Sequence, residues 1–101
     1  DWSQINEVWK KLDEEIIELK NAHDEGNIEE IKEEIGDVLF SVVNLARHLD
    51  IPAEDMLRKA NRKFVRRFTK VEEELEAKGK KLEDSTLEEM DEVWERVKKK
   101  E

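Results

Sequence analysis

Apolar residues recur along the chain in four bursts of helical spacing, separated by short polar breaks. In the first, Ile5, Val8, Trp9, Leu12, Ile16 and Leu19 fall three or four apart and form one stripe. That spacing predicts an amphipathic helix over 3–22, with Ser3 as its cap. The stretch His23-Asp24-Glu25-Gly26-Asn27 breaks the pattern, and Gly26 and Asn27 suit a helix stop or a following start. A second helix is predicted over 28–49. Its first turns are polar, but from Ile35 it reads IGDVLFSVVNLARHL, apolar nearly all round, as expected of a buried helix. Asp50-Ile51-Pro52 ends it, because the residue before proline avoids helical angles and proline can open the next helix.

The third predicted helix, over 53–78, places Leu57, Ala60, Phe64, Phe68, Val71 and Leu75 on one face. Arg58, Lys59, Arg62, Lys63, Arg66, Arg67 and Lys70 take its other side, and Gly79 is the natural stop. A fourth helix follows over 86–99. Ser85 and Glu88 are spaced as a capping box at its start. Leu87, Met90, Val93, Trp94 and Val97 form its apolar side, and Lys98, Lys99 and Lys100 suit the negative end of its dipole. The expected fold is all-α, a single domain resembling a four-helix bundle. Four short helices can hardly cover a segment as apolar as VLFSVVNLA, so completion by a homodimer is expected.

Composition narrows the function classes. Charged residues are 47% of the 101, yet the regular apolar spacing argues against a disordered polyelectrolyte. There is no cysteine, hence no disulfide framework and no thiolate metal site or nucleophile. No apolar run approaches the 18 or so residues of a membrane span, and no signal-peptide layout is present, so a cytoplasmic protein is expected. The 28 acidic residues outnumber 19 basic ones, for a net charge of −9. A generic nucleic-acid binder leans the other way. A phosphate substrate would need its repulsion offset, most simply by a divalent cation.

The candidate chemistry is acidic. Glu30, Glu34, Asp37, Ser41, Asn44 and His48 follow steps of three or four and fill a band only about 80° wide. An ordinary solvated face is wider, and this band lies within the most apolar helix. On the first helix Glu15 and Glu18 share a side, with Lys11 one turn before; alone, that pair reads as a solvated flank. The short turn at 23–27 makes the two helices antiparallel neighbours, so that two i, i+3 acidic pairs face each other. Such a cluster repels itself unless protonated or bound to a cation, and oxygen-only ligands suit magnesium, manganese or calcium. His48 reads as a packing or hydrogen-bonding residue, His23 as a surface residue, and Trp2 and Trp9 as packing residues. Lys63 and Arg67 are i, i+4 neighbours beside the apolar face, where a lysine and a guanidinium suit phosphate oxygens. Basic helix stripes are nonetheless usually solvated, and Trp94 is a core residue by spacing.

Together these segments resemble the MazG family of nucleoside triphosphate pyrophosphohydrolases. The resemblance lies in EEIIE at 14–18, EIGD at 34–37, GDVLFSVVNLARHL, KANRKFVRRF and EEMDEVW, and covers essentially the whole chain. It is closest to the second, catalytic module of two-module members, consistent with one piece of a longer protein. It implies that Glu15, Glu18, Glu34 and Asp37 hold Mg2+, with Mn2+ a possible substitute. It further implies that Lys11 contacts the nucleotide, Lys63 and Arg67 hold the triphosphate, and Trp94 and Lys98 lie at the nucleotide site. Glu15 or Glu14 is the implied proton acceptor. Asp50 and Pro52 depart from the more usual turn residues after ARHL, which bears on stability.

The expected activity is magnesium-dependent hydrolysis of nucleoside triphosphates to monophosphate and pyrophosphate. A non-catalytic dimerisation or regulatory module is the alternative class. Within the enzymes, dUTP-, dCTP- and phosphoribosyl-ATP-type pyrophosphohydrolases share the acidic pattern.

Overall fold

A computed structural model describes residues 2–101, and side chains from residue 3 onward. Among the described residues there are four α-helices, one short 3-10 turn and no strand: α1 (Trp2–Glu25), α2 (Ile28–His48), α3 (Ala53–Ala77), the turn Leu82–Asp84, and α4 (Leu87–Lys99). The all-α expectation holds. The chain divides into two compact units, the first ending at Glu54 and the second spanning Asp55–Glu101.

The first unit is an antiparallel hairpin of α1 and α2. Val8, Leu12 and Leu45 form its buried core, with Ile16 and Val38 packed against them. Ala22 is buried near the turn. Asn27 caps α2, its side-chain oxygen accepting the Glu30 N–H at 3.2 Å. The expectation that α2 is buried nearly all round is wrong within the chain. Its buried residues are Ser41 and Leu45, whereas Ile35, Leu39, Phe40, Val42 and Val43 are exposed, Phe40 by 73%. The cause is geometric: one neighbouring helix covers only one stripe of α2, and the polar band containing Glu34, Ser41 and Asn44 takes that side.

In the second unit, the C-terminal half of α3 packs on α4. Val71, Leu75, Val93 and Val97 form the core, with Leu82, Met90 and Trp94 against it. Each such fully buried aliphatic side chain contributes roughly 1.5–3 kcal/mol. The predicted stripe on α3 continues toward the N-terminus, but Leu57 and Phe64 there are exposed, as is Leu87 on α4. Trp9, expected to pack, is also largely exposed. The side chain of Trp2 lies outside the described residues. Ion pairs Lys100–Glu74 at 3.5 Å and Lys80–Glu89 join elements of this unit.

Two predicted caps move. Ser3 lies inside the first turn of α1, because the helix already includes Trp2. The helix also runs past residue 22, since nothing before Gly26 forces it to stop. At the start of α4 the cap is Thr86 rather than Ser85. Thr86 Oγ1 accepts the Glu89 N–H at 3.1 Å, whereas Ser85 donates its hydroxyl to the Lys81 carbonyl and its N–H closes the 3-10 turn. The Thr86–Glu89 spacing is the same as Ser85–Glu88, so the sequence pattern alone offers two registers.

Three helices end in the same way. The N–H groups of Asn27, Ile51 and Lys80 bond the carbonyls of Ala22, Ala46 and Leu75, five residues back, and those of Gly26, Asp50 and Gly79 bond the carbonyls of His23, Arg47 and Glu76. This paired bonding is the Schellman stop, whose pivot residue takes left-handed angles. Gly26 and Gly79 do so at φ of 72° and 77° at little cost, but at the end of α2 the pivot is Asp50, at φ 58°. Aspartate tolerates that region better than most residues but less well than glycine. Asp50→Gly is therefore expected to stabilise the chain by about 0.5 kcal/mol, some 2–4 °C in Tm for a domain of this size. Asp50→Val, β-branched at the same angles, is expected to lower Tm, and thermal unfolding of both variants checks the pair.

Candidate functional site

The acidic pairs of α1 and α2 meet in the hairpin. Glu15, Glu18 and Glu34 each offer a carboxylate oxygen, and these three atoms lie within 4.8 Å of one another. Glu15 is buried, Glu34 half-buried and Glu18 exposed, so the cluster grades from the interhelical seam to solvent. The hairpin produces this arrangement because the turn at Gly26 and Asn27 lays α2 back along α1, bringing the two acidic steps side by side.

Like charges this close need neutralisation, and the chain provides it unevenly. Lys11 Nζ lies 2.8 Å from one Glu15 oxygen. That hydrogen bond and its charge hold the Glu15 carboxyl below the usual range against the opposing effect of burial. Glu34 has no such partner. Burial, followed by the negative charges of Glu18, Asp37 and Glu15, pushes its pKa up. The second oxygens of Glu15 and Glu34 are buried without a hydrogen-bond partner, which is costly for polar atoms and more so for charged ones. Oxygen-only donors, converging, with two orphaned atoms among them, fit a hard divalent cation that bonds oxygen at roughly 2.0–2.6 Å. The cluster could therefore hold a metal ion.

Asp37 was expected inside a buried band with this cluster. It is exposed and outside the three-residue group, although its charge reaches Glu34. Glu30 and His48, at the ends of the predicted band, are likewise exposed, which for His48 disfavours packing relative to the hydrogen-bonding alternative. Glu14 is exposed beside the cluster, its charge felt at Lys11. His23 is on the surface as expected, 3.7 Å from Asp24.

Of the predicted nucleotide residues, Lys11 lies in the first unit beside Glu15, and the other four belong to the second. Lys63 and Lys98 are exposed, and Arg67 and Trp94 half-buried. The structure brings Arg67 and Trp94 together: the guanidinium carbon lies 5.9 Å from the indole centroid, within cation–π range. Phe64 packs on the same indole at 5.3 Å and on Phe68 at 6.0 Å. Trp94 thus packs on the core, as its spacing predicts, and also lies under a cation. Lys63 also lines a groove of about 350 Å³ with Met56, Lys59, Ala60, Arg62 and Arg66. Sequence reasoning missed Glu101, which takes the Arg67 guanidinium in a two-oxygen fork. At 34 residues' separation, nothing in local spacing signals that pair.

The chain is similar in sequence to known proteins. Residues 4–72 match the family described as "MazG nucleotide pyrophosphohydrolase domain". The chain is 49% identical over 98 residues to the nucleoside triphosphate pyrophosphohydrolase/pyrophosphatase MazG of Thermotoga maritima, covering 97% of this chain and 37% of that protein. It is 45% identical over 103 residues to the nucleoside triphosphate pyrophosphohydrolase of Escherichia coli K12, covering 100% of this chain and 39% of that protein. The chain thus spans well under half the length of these curated relatives.

Glu34 is the member of the cluster whose ionised form the fold disfavours. A carboxyl whose folded pKa is raised adds stability while protonated and loses it as pH rises through that pKa. Above that pKa the ionised side chain is therefore a burden on the metal-free chain. Glu34→Gln is expected to raise Tm in EDTA and to abolish most of the Tm gain on adding Mg2+. Thermal melts with and without metal check it, and an undiminished magnesium shift would remove Glu34 from the ligand set.

Proposed function

Because the chain belongs to the MazG family of nucleotide pyrophosphohydrolases, we propose that it hydrolyses nucleoside triphosphates at the α–β phosphoanhydride, releasing nucleoside monophosphate and pyrophosphate. The observation that carries this reading is the convergence of Glu15, Glu18 and Glu34 around two buried, unpartnered carboxylate oxygens. A helical domain that had no cation to hold would gain by replacing such a cluster with apolar residues.

In this reading Glu15, Glu18 and Glu34, with Asp37 at the exposed edge, hold Mg2+. Mn2+, which favours similar oxygen ligands, can substitute. When bound, the ion supplies positive charge against phosphate oxygens and acidifies water. Glu14 and Glu15 are the candidate acceptors for the proton of the attacking water. Lys11 holds the Glu15 carboxyl low, which makes it a weaker base than an ordinary glutamate. Lys11 offers its ammonium to the nucleotide from beside Glu15. Lys63 and Arg67 bind the phosphates, offsetting charge on the leaving pyrophosphate, and Trp94 presents an aromatic surface beside them, with Lys98 a further cation on α4.

Without a cation the carboxylate cluster would repel the substrate's phosphates, so activity is expected to depend on the ion. The exposed apolar face of α2, including Leu39, Phe40 and Val43, supports a further part of the reading: two copies associate through this helix. A contiguous apolar patch of that kind on a soluble domain marks an interaction surface.

Pyrophosphate release from the common nucleoside triphosphates, with Mg2+ and with EDTA, tests the activity. Glu18→Ala and Asp37→Ala are each expected to lower kcat by about 100-fold or more while leaving helicity intact. Full activity in either would sink its assignment, and no release at any Mg2+ or Mn2+ concentration would favour a non-catalytic module. Phe40→Glu is expected to shift the protein to monomer in sedimentation, and an unchanged oligomer would exclude this face.

A further inference from the structure

The guanidinium of Arg67 is already engaged. Its Nε donates to both carboxylate oxygens of Glu101, at 2.9 and 2.8 Å, and a terminal nitrogen lies 2.8 Å from one of them. A planar fork closed on two oxygens is the geometry with which arginine takes either a carboxylate or a phosphate. The pair is sheltered: the Arg67 side chain is 15% exposed and that of Glu101 31%, with the Trp94 ring beneath the guanidinium. Arg67 first, and then the charges of Lys70 and Lys63, hold the Glu101 carboxyl below the usual range. The carboxylate therefore sits in the positive field of two residues assigned above to the triphosphate. All these groups belong to the Asp55–Glu101 unit.

We propose that Glu101 is an internal competitor for the substrate's phosphates at Arg67. This rests on the reading of Arg67 as a phosphate contact. One guanidinium fork cannot close on both anions, and a phosphate brought beside an ionised carboxylate is repelled by it. The substrate thus meets a binding-competent arginine only in the fraction of molecules whose pair is open, and apparent affinity falls by that fraction. The pair is partly solvated, so it opens readily and tunes affinity without blocking the site. Glu101 takes no part in the chemistry; it sets the substrate concentration at which the enzyme begins to work.

The test is steady-state kinetics on the nucleoside triphosphate hydrolysed fastest among the common ones, with Mg2+ in excess. Glu101→Gln is expected to lower KM by about three- to fivefold at unchanged kcat, the range a partly solvated ion pair can supply. Arg67→Ala is expected to raise KM, and adding Glu101→Gln in that background to change nothing further. An unaltered KM in Glu101→Gln, with Arg67→Ala still impaired, overturns the competition while leaving Arg67 as a phosphate contact. The same decrease in both backgrounds reduces Glu101 to a diffuse charge effect and also overturns it. A normal KM in Arg67→Ala removes the contact itself, and the proposal with it.

Discussion

Everything distinctive in the first unit follows from one electrostatic constraint, the crowding of three carboxylates in the seam between α1 and α2. Apolar packing of Val8, Leu12 and Leu45 holds the two helices together, and that packing brings Glu15, Glu18 and Glu34 to within 4.8 Å. The hairpin stabilises its core and concentrates negative charge in the same step. Lys11 relieves part of the repulsion. Glu34 bears the rest, as its raised pKa records. At this residue stability and the capacity to take a cation would therefore be opposed, a trade-off common where a fold holds a site ready for a ligand.

The second unit solves a different problem. Its cations sit on α3, where the residues from Arg58 to Lys70 include no acid. Packing of α4 against α3 sets Trp94 under Arg67 and brings Glu101 to the guanidinium. An arginine held by an aromatic face and a carboxylate has lost much of its side-chain freedom. While the carboxylate holds it the fork is closed to any other anion, and once the pair opens only the Trp94 face beneath it still limits its freedom.

The sequence was most legible where a feature is periodic or local. The four helices, the Gly26 and Gly79 stops and the approach of Glu15 and Glu18 to Glu34 all follow from spacings of three and four and from a five-residue break. Position across a helix was less legible. The apolar run of α2 implied burial, yet periodicity reports only which residues share a face, and cannot say whether anything covers it. The burial of Asp37 was misjudged for the same reason: it shares the acidic band but is exposed. The cap at Thr86 and the Glu101 contact were out of reach for other reasons, two equivalent registers in one case and distance along the chain in the other.

α2 is inverted relative to the helix of a self-sufficient monomer, turning its polar band toward its own neighbour and its larger apolar side chains outward. A second copy seated on that outward face would make folding and assembly a single concentration-dependent equilibrium. The acidic seam on the opposite side of the same helix, which needs the folded hairpin, would then form in proportion to the number of assembled pairs. Active sites would increase more steeply than the amount of polypeptide at low abundance, and in direct proportion to it once assembly is complete. Gene dosage would then govern the number of folded seams through a threshold set by the oily side of one helix.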